Sequence, residues 1–198
     1  MVDQLGLFKK YKEIYRESFV AYPNEMYGEY SIELKEADRT AKLRKLTVRN
    51  VPKDTILLRL HEYSNLNIGN ILKQVLNDDS GIFKCCDYLL ISIVNKELYF
   101  FFIEIKSENV VSSDVKKQFK GAFCFVDYCH AIIQHFYDMP SVKALSSKSY
   151  CILISKGTFN KKPTKLKKYI MRSSPDGFSH HKVGVKNHTA TINFESFL

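Results

Sequence analysis

The chain has 198 residues, of which 45% are hydrophobic and 26% are charged, and its formal net charge at pH 7 is +9. These proportions are typical of one globular domain with a substantial core. No apolar run is long enough to span a bilayer, and residues 1–24 are too polar for a signal peptide. We therefore expect a cytoplasmic protein without a membrane partner, and its positive charge favours a polyanion such as nucleic acid.

The cysteines and histidines do not form a recognisable metal-binding pattern. Cysteine number is odd, most cysteines lie in apolar segments, and no CxxC pair occurs, so we expect reduced core residues and no zinc ribbon. These are Cys85, Cys86, Cys124, Cys129 and Cys151. His180, His181 and His188 are assigned to a solvated tail.

The first part of the chain shows both helical and β-like patterns. Residues 3–20 carry aromatic and aliphatic side chains at three-to-four spacing, which predicts one amphipathic helix. Residues 26–50 alternate weakly and fit a short strand or a helix, and residues 55–63 fit either structure equally. Residues 65–76 have near-helical apolar spacing, and the polar stretch 77–81 predicts a turn.

The strongest pattern in the sequence is an antiparallel hairpin. Two apolar, β-rich runs flank a polar break at Asn95-Lys96. With these two residues as the turn, Asp87 lies directly opposite Glu104, and their Cβ atoms are expected roughly 4.5–5.5 Å apart. Because side chains alternate along a strand, Lys106 shares the face of Glu104. The hairpin therefore brings two carboxylates and one ammonium group together.

Residues after the hairpin predict a long buried helix and a buried strand. Polar residues 112–114 resemble a helix N-terminus, residues 115–137 follow with helical apolar spacing, and the apolar run 150–155 predicts a strand. The tail 181–197 alternates around Asn187-His188, which predicts a terminal hairpin or edge strand pair. The order helix, hairpin, helix, strand predicts an α/β sandwich with a mixed central sheet flanked by helices.

The segment 156–172 is strongly basic and contains interleaved aromatic residues. One interpretation is a surface that contacts phosphates and stacks bases. A lysine run alone is more often a solvated positive face, although no acidic residue interrupts this one, and both interpretations stay open. The lysines assigned to nucleic-acid binding are Lys161, Lys162, Lys165, Lys167 and Lys168.

Two facing carboxylates on an apolar hairpin need a compensating positive charge. Like charges opposite each other are destabilising, and an unpaired buried charge costs several kcal/mol. A divalent cation between Asp87 and Glu104 would compensate both carboxylates, because Mg²⁺ prefers oxygen ligands. Neutralisation of one carboxylate by Lys106 alone is the alternative. The spacing does not choose between these two interpretations.

Asp87, sixteen intervening residues and then Glu104-Ile105-Lys106 resemble the PD-(D/E)xK nuclease signature. The order of predicted elements in 65–155 is similar to the αβββαβ core of the restriction-endonuclease-like fold. This resemblance implies a single domain in which the nuclease core 65–155 lies between an N-terminal helical or irregular extension, 1–64, and a basic C-terminal extension, 156–198.

The resemblance also implies roles for individual residues. Asp87, Glu104 and the backbone carbonyl of Ile105 would bind Mg²⁺, with Mn²⁺ as a substitute. Lys106 would orient or deprotonate the attacking water and stabilise charge in the transition state. Gln118 matches the glutamine that many family members carry on the helix after the ExK motif, and an exposed helix residue is the equally weighted alternative.

Two features depart from the family pattern. Members usually have a glutamate on the helix before the aspartate, whereas that helix here offers Asn70 and Gln74, with Glu62 just upstream. Either Glu62 fills the role of that glutamate or the site holds a second metal ion only weakly, and both interpretations stay open. Cys86 also precedes Asp87 where the family name implies proline.

The sequence therefore predicts a hydrolase, namely a divalent-metal-dependent nuclease that acts on DNA. The expected assembly is a homodimer or a larger defence, repair or transposition complex. One alternative is a catalytically inactive nucleic-acid-binding or scaffolding module of the same fold. A further alternative is an interaction domain in which the charged residues form a structural ion cluster, and apolar replacements should then be tolerated.

Overall fold

The computed structural model describes residues 3–36, 40–60, 84–106, 112–137, 139, 149–157 and 177–198. Within these residues the protein is an α/β structure with two mixed β-sheets and two α-helices. The helices are α1, Gln4–Ile14, and α2, Ser112–Phe136. The strands are β1 Val20–Ala21, β2 Asn24–Met26, β3 Glu29–Lys35, β4 Lys45–Arg49, β5 Thr55–Arg59, β6 Tyr88–Val94, β7 Glu97–Lys106, β8 Ser149–Gly157, β9 Ser179–Gly184 and β10 Thr189–Asn193.

The larger sheet has six strands in the order β1-β5-β6-β7-β8-β9. Strands β1, β5, β6 and β7 pair antiparallel in succession, whereas β7, β8 and β9 are parallel. The carboxyl ends of β7, β8 and β9 therefore lie together at one edge of the sheet. Ligands of open α/β sheets commonly bind beyond such ends.

The larger sheet is buried on both faces. Helices α1 and α2 cover one face, where Phe102 packs with Phe119 and other apolar residues in one core. A second sheet, in the order β10-β4-β3-β2, covers the opposite face, and its Leu46 belongs to a separate core with Phe101. Because both faces are covered, the strands β6 to β8 are almost continuously apolar, as buried strands are.

The predicted hairpin is confirmed in its position and its register. Val94 pairs with Glu97, and the pairing continues in step to Tyr88 and Ile103. Asn95 and Lys96 have φ angles of 50° and 66°, as a two-residue turn of the primed type requires.

Several other segments differ in detail from the sequence expectations. Helix α1 ends at Ile14, because the chain then forms a short 3₁₀-helix at Glu17–Phe19 and enters β1. The ambiguous segment 26–50 forms β3 and β4, and the segment 55–63 begins with β5. The predicted helix at 65–76 and turn at 77–81 lie outside the described residues.

The C-terminal tail is built into both sheets. His180 and His181 lie in β9 next to β8, and His181 is buried, so the assignment of these histidines to a solvated tail is wrong. Asn187 and His188 do form a tight turn, closed by a bridge between Lys186 and Thr189. The two strands that flank this turn do not pair with each other along their length, because β9 belongs to the larger sheet and β10 to the second sheet.

Parts of both predicted extensions contribute to the larger sheet. Strands β1 and β5 come from residues before 65, and β9 comes from residues after 155. The second sheet also consists of strands from these two regions. Residues 1–64 and 156–198 thus supply structural elements around the central hairpin and do not lie only outside it.

All five cysteines are thiols. Cys86, Cys129 and Cys151 are buried, as expected for core residues, and Cys85 is partly buried. Cys124 is exposed on α2 and therefore differs from that expectation. Its position on the outer side of the helix was not evident from the apolar character of the surrounding sequence.

Candidate active site

Asp87 and Glu104 are brought together where β6 begins, late in β7. The Asp87 backbone N–H donates a hydrogen bond to Glu104 Oε2 at 3.1 Å, and the Ile105 backbone N–H donates to Asp87 Oδ2 at 2.7 Å. The Asp87 carbonyl accepts a bond from the Leu60 N–H at 2.9 Å, which ties the residue to the end of β5. Reciprocal bonds thus hold the two acids side by side, as the hairpin register predicts.

Glu104 is a fully buried carboxyl group. Its exposed fraction is 0%, and it lies on the helix-covered face of β7 with Phe100 and Phe102. Burial and the nearby Asp87 raise its pKa to about 8, against the opposing effects of Lys106 and a hydrogen bond from Gln118. A carboxyl group that resists ionisation in this way is stabilised as an anion when a cation binds beside it.

Lys106 lies two residues beyond Glu104 on the same face, and its ammonium group contacts Glu104 Oε1. Burial alone would lower the pKa of Lys106, but Glu104, the hydrogen bond to it and Asp87 together raise that pKa. The side chain is therefore a cation at neutral pH. Because about one third of it is exposed, the ammonium group can also approach a ligand.

Gln118 reaches the site from the second turn of α2. A hydrogen bond from its side chain favours the charged form of Glu104. Its Oε1 atom is buried without a hydrogen-bond partner among the described residues. The contact with Glu104 is consistent with the predicted position of Gln118 at the site.

The backbone around the acids is fixed by a contact from the second sheet. The Tyr88 hydroxyl accepts a hydrogen bond from the Lys35 N–H at 2.7 Å and donates one to the Lys35 carbonyl. Tyr88 follows Asp87 directly, so the end of β3 is joined to the start of β6 next to the carboxylates. Sequence reasoning missed this contact, because 53 residues separate its partners.

The residues present fit a magnesium ion. Asp87 and Glu104 supply carboxylate oxygens, and Ile105 presents its N–H toward Asp87. A strand residue directs its carbonyl to the same side as its N–H, so the Ile105 carbonyl also faces this site. The described part of the chain contains no group of three or more His, Cys, Asp or Glu residues that could hold a metal. Mg²⁺ commonly uses one or two carboxylates together with water and substrate phosphate, which this donor set satisfies.

Several predicted site residues lie outside the described residues. They include the candidate upstream acid Glu62, the helix residues Asn70 and Gln74, and the basic segment. The lysines of that segment assigned to nucleic-acid binding are Lys161, Lys162, Lys165, Lys167 and Lys168.

Comparisons with protein-family models, with characterised proteins and with solved structures found no match for this chain. Neither α1 nor α2, the two α-helices of the described residues, is long and apolar enough to cross a membrane. The interpretation of the site therefore depends on its own chemistry.

Proposed function

We propose that the protein is a divalent-metal-dependent nuclease that hydrolyses phosphodiester bonds, with DNA as its substrate. The observation that carries this proposal is the buried pair Asp87 and Glu104 beside the cation Lys106. An acid whose pKa is raised by burial and by a second acid is costly for stability, and such arrangements concentrate in active sites. The resemblance to the PD-(D/E)xK signature supports the same proposal.

Each residue would have a separate task in hydrolysis. Asp87, Glu104 and the Ile105 carbonyl would hold Mg²⁺, which when bound acidifies water and polarises a phosphoryl oxygen. Lys106 would stabilise the negative charge that grows on the phosphate in the transition state. Its raised pKa favours this electrostatic role over that of a general base, because the amine stays protonated at neutral pH. Gln118 would orient the Glu104 carboxylate through its hydrogen bond.

The experiment is incubation of the purified protein with plasmid DNA, single-stranded DNA and RNA, with Mg²⁺ or with a chelator. We expect cleavage of DNA that requires Mg²⁺ and falls at least about 100-fold in Asp87→Asn, Glu104→Gln and Lys106→Ala proteins. Lys9→Ala is the matched control, because Lys9 is exposed on α1. Circular dichroism establishes that each variant is folded. Chelator-resistant cutting, or full activity of folded Glu104→Gln protein, would refute the proposal.

Nucleic-acid binding without cleavage is the second candidate function. It is favoured by the small donor set, since the described residues place only two acids at the site. The protein would then bind DNA with steep salt dependence and be indifferent to chelator. The same incubation, combined with a binding measurement, separates this function from the nuclease.

A further inference from the structure

A second polar group lies next to Lys106 on the larger sheet. Ser155 in β8 is the lateral partner of Lys106 in β7, and Lys182 in β9 is the lateral partner of Ser155. Neighbouring strands are about 4.8 Å apart, so the three Cα atoms span roughly 10 Å across the sheet. This row lies late in the three parallel strands.

These side chains share the face that carries the candidate active site. Cys151 and Leu153 belong to the core under the helices, so by alternation Ser155 lies on that face. In β9, His180 pairs with Leu153 and therefore lies on the same side, as does Lys182 two residues later. The polar row is thus a lateral continuation of the site formed by Glu104 and Lys106.

The row combines several groups that can contact an anion. Ser155 Oγ and His180 Nε2 are hydrogen-bonded at 2.7 Å, and Ser155 is only 6% exposed. Burial and Lys182 lower the pKa of His180, so its imidazole is neutral at neutral pH. The Lys182 side chain is exposed to solvent. A hydroxyl oriented by an imidazole and followed by an ammonium group offers the kinds of donor that contact phosphates in protein complexes with nucleic acid.

We propose that Ser155, His180 and Lys182 form a second phosphate subsite, which binds the phosphodiester next to the one that is cleaved. This inference rests on the proposed nuclease function and specifies its substrate as a strand with consecutive phosphates. The lateral pairing with Lys106 places the subsite one strand away from the reacting centre. These residues position the substrate and do not take part in bond cleavage.

The kinetic test compares two substrates that differ in the presence of a neighbouring phosphate. One is a DNA oligonucleotide, and the other is bis(p-nitrophenyl) phosphate, which has a single phosphodiester. We expect Lys182→Ala and Ser155→Ala/Lys182→Ala proteins to show KM for the oligonucleotide raised about tenfold or more, the effect of losing a charge-assisted contact. Their kcat/KM for the small diester should equal that of the wild type. Lys186→Ala is the control, because Lys186 is exposed in the turn after β9.

A binding test judges the subsite independently of cleavage. Anisotropy of a labelled oligonucleotide is measured with chelator present at several salt concentrations. Loss of the Lys182 phosphate contact should reduce the salt slope by about one, whereas a purely structural role for Ser155 and His180 would alter thermal stability alone. Equal binding by Lys182→Ala and Lys186→Ala proteins, equal loss on both kinetic substrates, or no binding by the wild type would overturn the inference. Absence of cleavage by the wild type would reject the nuclease, and the binding result would still decide the subsite.

Discussion

Replacing Glu104 with glutamine is expected to change how the stability of the protein depends on pH. In the folded protein the pKa of Glu104 rises from its ordinary value of 4.5 to about 8, chiefly through burial and then through Asp87. The unfolded chain therefore loses this proton near pH 4.5, while the folded chain keeps it until about pH 8. Since the folded state binds more protons within that window, the free energy of unfolding falls as pH rises through it and levels off above pH 8.

The size of this effect follows from the pKa difference. At roughly 1.4 kcal/mol per pH unit, a rise from 4.5 to about 8 corresponds to on the order of 5 kcal/mol lost between pH 4.5 and pH 8. Glutamine has no proton to release, so this component is absent from the variant. Relative to the wild type, Glu104→Gln protein should gain a free energy of unfolding of that order on passing from pH 4.5 to pH 8.5, without metal.

The assay is urea unfolding in chelator at several pH values. Far-UV circular dichroism is the suitable probe, because the chain contains no tryptophan. The matched control is Glu97→Gln, since Glu97 lies on the same strand and is exposed. For each protein the free energy of unfolding is plotted against pH. We expect the plot for Glu97→Gln protein to run parallel to that of the wild type, while the plot for Glu104→Gln protein rises above the wild type above pH 4.5. Three parallel curves would mean that Glu104 ionises normally, and the electrostatic account of the site would be rejected.

Added Mg²⁺ extends the same test to the proposed metal site. A ligand that binds only the folded state stabilises it by about 2.7 kcal/mol at one hundred times its Kd. We expect this gain for the wild type at pH 8 and little gain for Glu104→Gln protein. Equal stabilisation of both proteins would place the binding of Mg²⁺ elsewhere.

Two further predictions concern the elements that hold the site in place. Lys96→Gly should raise the free energy of unfolding, measured by urea titration, by about 0.5–1 kcal/mol. The reason is that Lys96 has a φ of 66°, which glycine adopts without strain. A destabilised variant would contradict this view of the hairpin turn. Gly121→Ala should be destabilised by about 2 kcal/mol or more, since an added Cβ would lie 1.9 Å from the Lys84 carbonyl oxygen. The control for Gly121→Ala is Lys117→Ala, because Lys117 is exposed on the same helix. Equal thermal stability of these two proteins would show that the backbone at Lys84 leaves room for a Cβ atom at position 121.

The local elements of the fold were predictable where one periodic pattern dominated the sequence. The hairpin, the long helix near 115–137 and the strand near 150–155 all appear close to their expected positions. The segments 26–50 and 55–63 fit more than one structure because their alternation is weak, and tertiary pairing decides such cases. Strand β4, for example, is set between β3 and β10, which no local pattern specifies.

The candidate site was predictable in part for the same reason. Asp87, Glu104 and Lys106 are related by the register of one hairpin, so counting from the turn places them together. The polar neighbours of His180 in the sequence indicate a solvated tail, whereas its position depends on pairing with Leu153 in a parallel strand. For the same reason, the sequence shows Ser155 only as the end of an apolar strand.

The sequence by itself indicated the pairing within the hairpin, since a two-residue turn at Asn95-Lys96 sets which residues of the two strands lie opposite each other. Only the tertiary structure decided which face is covered by helices and which by the second sheet. It also decided that the carboxyl ends of β8 and β9 lie beside Lys106. Contacts between parallel strands depend on connections that are distant in sequence, and local periodicity carries no information about them.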